Sequence, residues 1–118
     1  MKIRALLFLA LGLALGLMML RPAQAASDPG FRIYIDNYGG SGLSVISMKT
    51  MKVIKTIPTG YHTHGLEASP DGRFVYVTVE SDHTLKKIDA ATGKVLQNIH
   101  LSGKPNEIAL TPNGKFMA

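Results

Sequence analysis

Beyond residue 30 the chain alternates apolar and polar side chains with a period of two, and helical periodicity is absent. Runs rich in β-branched and aromatic residues are separated by Gly, Pro, Asn and Asp. They predict strands at Arg32–Asn37, Leu43–Ser47, Lys52–Ile57 and Gly65–Ser69. A second set follows at Phe74–Val79, Thr84–Asp89, Lys94–Ile99 and Glu107–Thr111. Phe74–Val79 is apolar or β-branched at every position, the pattern of a strand held between neighbouring sheets. Upstream the pattern differs: Ala5 to Leu20 runs for 16 residues without a polar side chain.

The two sets of strands are copies. Laying Ile33–Phe74 over Val75–Phe116 without a gap gives ten identities in 42 positions, among them Tyr34/Tyr76, Leu43/Leu85, Ile46/Ile88, Pro70/Pro112 and Gly72/Gly114. The identities fall on apolar strand positions and on turn residues. Pro70-Asp71-Gly72 and Pro112-Asn113-Gly114 close the two units, Pro presetting the turn and Gly accepting a positive φ. A unit of 42 residues with four strands is the signature of a β-propeller blade. The fold expected is therefore all-β, a β-propeller of four-stranded antiparallel blades, with about two blades present in residues 26–118. A β-sandwich would not need its strands to repeat at a fixed interval.

The residues of the second copy carry a resemblance. Tyr76-Val77-Thr78, Ile88-Asp89, Thr92-Gly93-Lys94-Val95, Pro105 and Thr111-Pro112-Asn113-Gly114 look like the successive elements of the YVTN-type β-propeller repeat. The first copy matches less closely, through Tyr34-Ile35-Asp36-Asn37, Ile46-Ser47 and Ser69-Pro70-Asp71-Gly72. The resemblance covers Ile33 to the last residue and implies a closed ring of about seven blades. The chain ends at Lys115-Phe116-Met117-Ala118, which copies Arg73–Tyr76, so an N-terminal piece of a longer ring is expected. Two blades alone would leave sheet faces and strand edges in water, and such a piece should be marginally stable.

The leader changes the reading of charge. Lys2 and Arg4, the apolar run, and Ala23-Gln24-Ala25 form a secretory signal peptide with cleavage expected after Ala25. The run is shorter than the roughly 20 residues that span a bilayer, so no membrane span is expected after cleavage. Periplasmic or secreted location follows. Of 13 basic residues, Lys2, Arg4 and Arg21 belong to the leader, which leaves 10 against 8 acidic residues, a net of +2. That balance disfavours nucleic acid as a partner, which would want a clustered basic face. Lys49, Lys52 and Lys55 lie in a β-patterned stretch and read as solvated strand and turn positions. There is no cysteine, hence no disulfide and no haem-attachment Cys-x-x-Cys-His.

Chemistry is sparse. No nucleophile motif, phosphate-binding glycine loop or catalytically spaced carboxylate pair is present. Gly39-Gly40-Ser41-Gly42 precedes a strand, whereas a phosphate loop precedes a helix. In a propeller the loops Asn37–Gly42, Thr59–His64, Glu80–His83 and Ser102–Asn106 share the channel-mouth face. Asn37, Tyr61, His62, His64, Asp82 and His83 are the candidate ligand-binding residues there. His62 and His64 are also weak metal candidates, since a metal needs three or four ligands. His64 aligns with Asn106 and belongs to the repeat pattern, which leaves His62 as the unusual residue. His100 reads as solvated. No cofactor is predicted. The function expected is an exported scaffold that binds a protein or small molecule on the propeller face. The alternative, implied by the resemblance, is the propeller of a periplasmic redox enzyme, quinoprotein dehydrogenase or d1-haem reductase-like, or of a lactonase-like enzyme.

Overall fold

A computed structural model describes residues 30–118. The expected leader, residues 1–25, lies outside them. Strands β1 (Arg32–Asp36), β2 (Gly42–Ser47) and β3 (Lys52–Pro58) form one antiparallel sheet in sequence order. Strands β4 (Thr63–Ala68), β5 (Phe74–Val79), β6 (Thr84–Asp89) and β7 (Val95–His100) form a second. Among the described residues there is no helix, and none that could cross a membrane.

The repeat and the sheet are out of phase. The sequence groups Gly65–Ser69 with the three strands before it, but β4 pairs with β5 and not with β3. The blade is thus β4–β7, and it begins one strand before the sequence repeat Val75–Phe116 does. Among the described residues the first sheet lacks a counterpart of β4 and has three strands rather than four. The strand expected at Glu107–Thr111 is reduced to an isolated Leu110–Met117 bridge, flanked by reciprocal Ala109–Ala118 hydrogen bonds of 2.9 and 3.0 Å. A ladder needs a partner along its length, and Lys115–Ala118 supplies one bridged pair.

The sheets pack face to face. Leu43, Val45 and Ile57 of the first meet Val75, Val77 and Ile88 of the second, all at most 2% exposed. Tyr34, Leu66 and Ala90 pack around them. Burying each such aliphatic side chain contributes about 1.5–3 kcal/mol. Polar ties at the end opposite the histidines fix the alignment: Arg32 Nη1 and the Tyr34 hydroxyl both donate to the Ala90 carbonyl, at 2.6 and 3.3 Å. Lys55 Nζ donates to the Thr92 carbonyl.

The closing turns have the same construction in both copies. The Asp71 carboxylate accepts from the Ser69 hydroxyl (2.6 Å) and the Arg73 N–H (3.0 Å), with Gly72 at φ 69°. The Asn113 side-chain oxygen accepts from the Thr111 hydroxyl (2.7 Å) and the Lys115 N–H (3.0 Å), with Gly114 at φ 66°. These turns lie at one end of the sheets. The other end carries the β1–β2, β3–β4 and β5–β6 connections and the segment after β7.

Candidate functional site

At that second end, side chains from separate connections meet. Tyr38, in the β1–β2 loop, stacks on His62 with ring centroids 4.9 Å apart and an interplanar angle of 22°. Its ring also meets His64 edge-on at 4.7 Å and 61°. His64 lies within β4, one residue past the connection, rather than in the loop proposed from sequence. Its Nε2 stands 3.2 Å from a Glu80 carboxylate oxygen, and the other Glu80 oxygen accepts from Lys104 Nζ at 3.0 Å. Tyr38, His62, His64, Glu80 and Lys104 therefore form one contact chain drawn from both sheets.

The backbone around this chain is bonded and also strained. The Glu80 N–H donates to the His62 carbonyl at 2.9 Å, and the Ser81 hydroxyl to the Tyr61 carbonyl at 2.8 Å. These bonds clamp the β3–β4 and β5–β6 connections together. His62 and His83 sit at φ 55° and 54°, in the left-handed region. A side chain there costs roughly 1–2 kcal/mol. Such strain concentrates where a side chain must point in a set direction. Gly60, at φ 120°, is required sterically as well: a Cβ would lie 2.9 Å from Val79 Cγ1 and 3.0 Å from Asp82 Oδ2.

The remaining sequence candidates divide. Asn37 is occupied by its own loop, its side-chain N–H donating to the Gly42 carbonyl (2.9 Å) and the Ser44 hydroxyl (3.1 Å). Asp82 accepts from Ser81 and from Lys86, at 2.9 and 3.2 Å. Tyr61 is exposed, with its ring outside the stacked group. His83 faces His100 at the end of β7, the rings 6.4 Å apart and nearly parallel. His100 is exposed. Among the described residues no group of three or more His, Cys, Asp or Glu is placed to hold a metal ion.

Electrostatics follow the contacts. The Lys104 hydrogen bond, with smaller help from the Lys104 and His64 charges, holds the Glu80 carboxyl below its ordinary range, and the same bond raises Lys104. Hydrogen bonds from Ser81 and Lys86 lower Asp82. The end thus presents charge-paired carboxylates, half-exposed aromatic faces and hydrogen-bond donors. The loops that the sequence placed on one face do share one end of the sheets, but the sequence had not singled out Tyr38, Glu80 or Lys104. The signal available was the opposite charge of Glu80 and Lys104 on two loops assigned to one face.

No family model matches the chain. Antigen Lp49 of Leptospira interrogans is 30% identical over 108 residues, covering 91% of this chain and 24% of that protein. Among solved structures, hydrazine synthase of Kuenenia stuttgartiensis aligns with a TM-score of 0.70 at 22% identity, over 73% of this chain and 24% of that one. The dihydro-heme d1 dehydrogenase NirN, in complex with DHE, aligns at 0.67 and 23% identity, over 77% and 20%. The β-propeller domain of Cps50 (Swd1) from Myceliophteria thermophila aligns at 0.61 and 16% identity, over 69% and 26%. The fold is that of part of a β-propeller. The chain spans about a quarter of the length of the proteins it matches.

Proposed function

We propose that this chain is part of an exported, YVTN-type β-propeller that binds a protein or small polar ligand at the end carrying Tyr38, His62 and His64. The observation that carries the reading is the convergence itself: an aromatic–imidazole stack joined to a carboxylate–ammonium pair, built from both sheets across several connections. The core and the closing turns account for the fold without it. The left-handed His62 works against stability, which fits selection for recognition. Tyrosine and histidine rings offer large, stiff contact area at low entropic loss. In this reading the two sheets belong to a longer ring of about seven blades, and export through the apolar leader places the protein in the periplasm or medium.

The second reading, the propeller of a periplasmic redox enzyme, is favoured by the likeness to hydrazine synthase and NirN. The two part in one experiment. A photo-crosslinking residue replaces Gly39, beside Tyr38 and with nothing within 4 Å of an added side chain, or Asp71 at the opposite end, in the full-length protein expressed with its leader in the native host. Crosslinks to one partner from position 39 but not from 71 support the scaffold. Equal or absent crosslinking at the two positions contradicts it, and a haem absorption band in the purified protein moves the assignment to the redox reading.

A further inference from the structure

The other end of the first sheet carries a feature that neither the fold nor the binding end explains. The β2–β3 turn of the first copy, Met48-Lys49-Thr50-Met51-Lys52, is equivalent to Ala90-Ala91-Thr92-Gly93-Lys94 in the second. The two turns share one hydrogen bond: Met51 N–H to the Ser47 carbonyl and Gly93 N–H to the Asp89 carbonyl, each 2.7 Å. Both central residues are left-handed, Gly93 at φ 71° and Met51 at φ 53°. Glycine adopts that conformation freely, while methionine is strained in it. Met51 gains no packing in return, since it is 69% exposed.

Its neighbours share the anomaly. The Met48 N–H donates to the Phe31 carbonyl at 3.0 Å, which sets the start of β1 beside the turn. Met48 and Phe31 are exposed as well, the latter at 85%. Lys49 and Lys52 flank them, both exposed. From Asn37 to Leu66 the chain has no acidic residue. The corner is thus apolar at its tip and basic at its sides, where the equivalent corner of the second copy has two alanines and a glycine.

We propose that this corner is a peripheral membrane contact that seats on an anionic phospholipid surface. Phe31, Met48 and Met51 enter the headgroup–acyl boundary, while Lys49 and Lys52 keep their ammonium groups at the phosphates. A soluble surface rarely gathers exposed apolar side chains at one corner without a partner. The basic flanks select a negatively charged one.

The chain has no cysteine, so a single substitution carries a fluorophore without ambiguity. Thr50→Cys places an environment-sensitive dye at the corner, and Gly103→Cys places it on the exposed segment after β7, at the opposite end of the sheets. The whole exported chain is used, its N-terminus read by mass spectrometry. It is mixed with vesicles of phosphatidylglycerol and phosphatidylethanolamine, or of phosphatidylcholine alone. The dye at 50 shifts to the blue on the anionic vesicles only, and the dye at 103 does not. Lys49→Gln with Lys52→Gln lowers partitioning about thirtyfold, from roughly 1 kcal/mol per lysine. Met48→Ala with Met51→Gly lowers it about tenfold or more. That pair restores the residues of the second copy and melts no lower than wild type, so its loss of binding is not a loss of folding. Equal response to both vesicles, equal response of the two dyes, or wild-type partitioning by either pair overturns the proposal. So does a shift that follows protein concentration without vesicles, which would make the partner a second copy.

Discussion

Gly65→Ala tests how the segment after β7 is seated on the second sheet. Gly65 is buried in β4, and its N–H donates to the Thr78 hydroxyl at 2.7 Å. That hydroxyl donates in turn to the Asn106 carbonyl at 2.9 Å, which ties β4, β5 and the incoming segment together. A Cβ at residue 65 would stand 2.8 Å from the Asn106 oxygen, 2.9 Å from the Ile108 nitrogen and 3.0 Å from the Glu107 carbonyl carbon. All three are backbone atoms, so the segment must move by about half an ångström or more to reach ordinary contact. Moving it stretches the Thr78–Asn106 bond, and a buried hydroxyl left without its partner costs about 1–3 kcal/mol. Overpacking adds about 1–3 kcal/mol, and the smaller unfolded-state entropy of alanine returns about 0.4–1 kcal/mol. The net expectation is a destabilisation of about 2–4 kcal/mol, with loss of hydrogen-exchange protection at Ile108 and Ala109. The assay is denaturant melting with residue-resolved exchange. Gly72→Ala is the control: its φ of 69° is left-handed but nothing lies within 4 Å of the added methyl, so it should cost about 1–2 kcal/mol and leave protection at 108–109 unchanged. If Gly65→Ala costs no more than Gly72→Ala, the segment is not stacked on β4 and the reasoning fails.

Val77→Ala, at 0% exposure between the sheets, should destabilise by about 2–3 kcal/mol in urea, while Val95→Ala, at 42%, should stay within about 0.5 kcal/mol; similar values would place the core elsewhere. Glu80→Gln should flatten the acid side of the stability–pH profile. The folded Glu80 carboxyl titrates below its ordinary value, so its contribution is present above the unfolded-state pKa and is lost as pH falls through the lower folded one. A wild-type and variant profile that stay parallel below pH 5 would remove the Lys104–Glu80–His64 link from the account.

Much of the architecture was legible because the repeat fixes it. The apolar run Phe74–Val79 that sits between the sheets, and the conformation of both Pro-x-Gly turns, follow from residue types and turn chemistry that act within a few residues. The phase between repeat and sheet did not follow. Whether Gly65–Ser69 pairs with the strand before it or the strand after it depends on which neighbour it meets in three dimensions, and identical repeats are silent on that. The end carrying Tyr38, His62 and His64 was legible as a set of loops but not as contacts. Tyr38 reaches His62 and His64 across the gap between sheets, and Glu80 meets Lys104 over 24 residues of sequence. Met51 opposite Gly93 was visible in the alignment of the two copies. Its meaning required the shared left-handed φ, which turns a substitution into a strained and exposed one.

The central claim is that the Tyr38–His62–His64 end is kept for recognition and not for folding. His62→Gly in the full-length protein tests it most directly, with melting temperature and the crosslinking yield from a probe at position 39, which leaves Tyr38 in place, measured on the same sample. Glycine relieves the left-handed backbone while removing the ring that stacks on Tyr38. The account predicts a melting temperature within a few degrees of wild type and a yield that falls several-fold. A clear drop in melting temperature with the yield unchanged would contradict it.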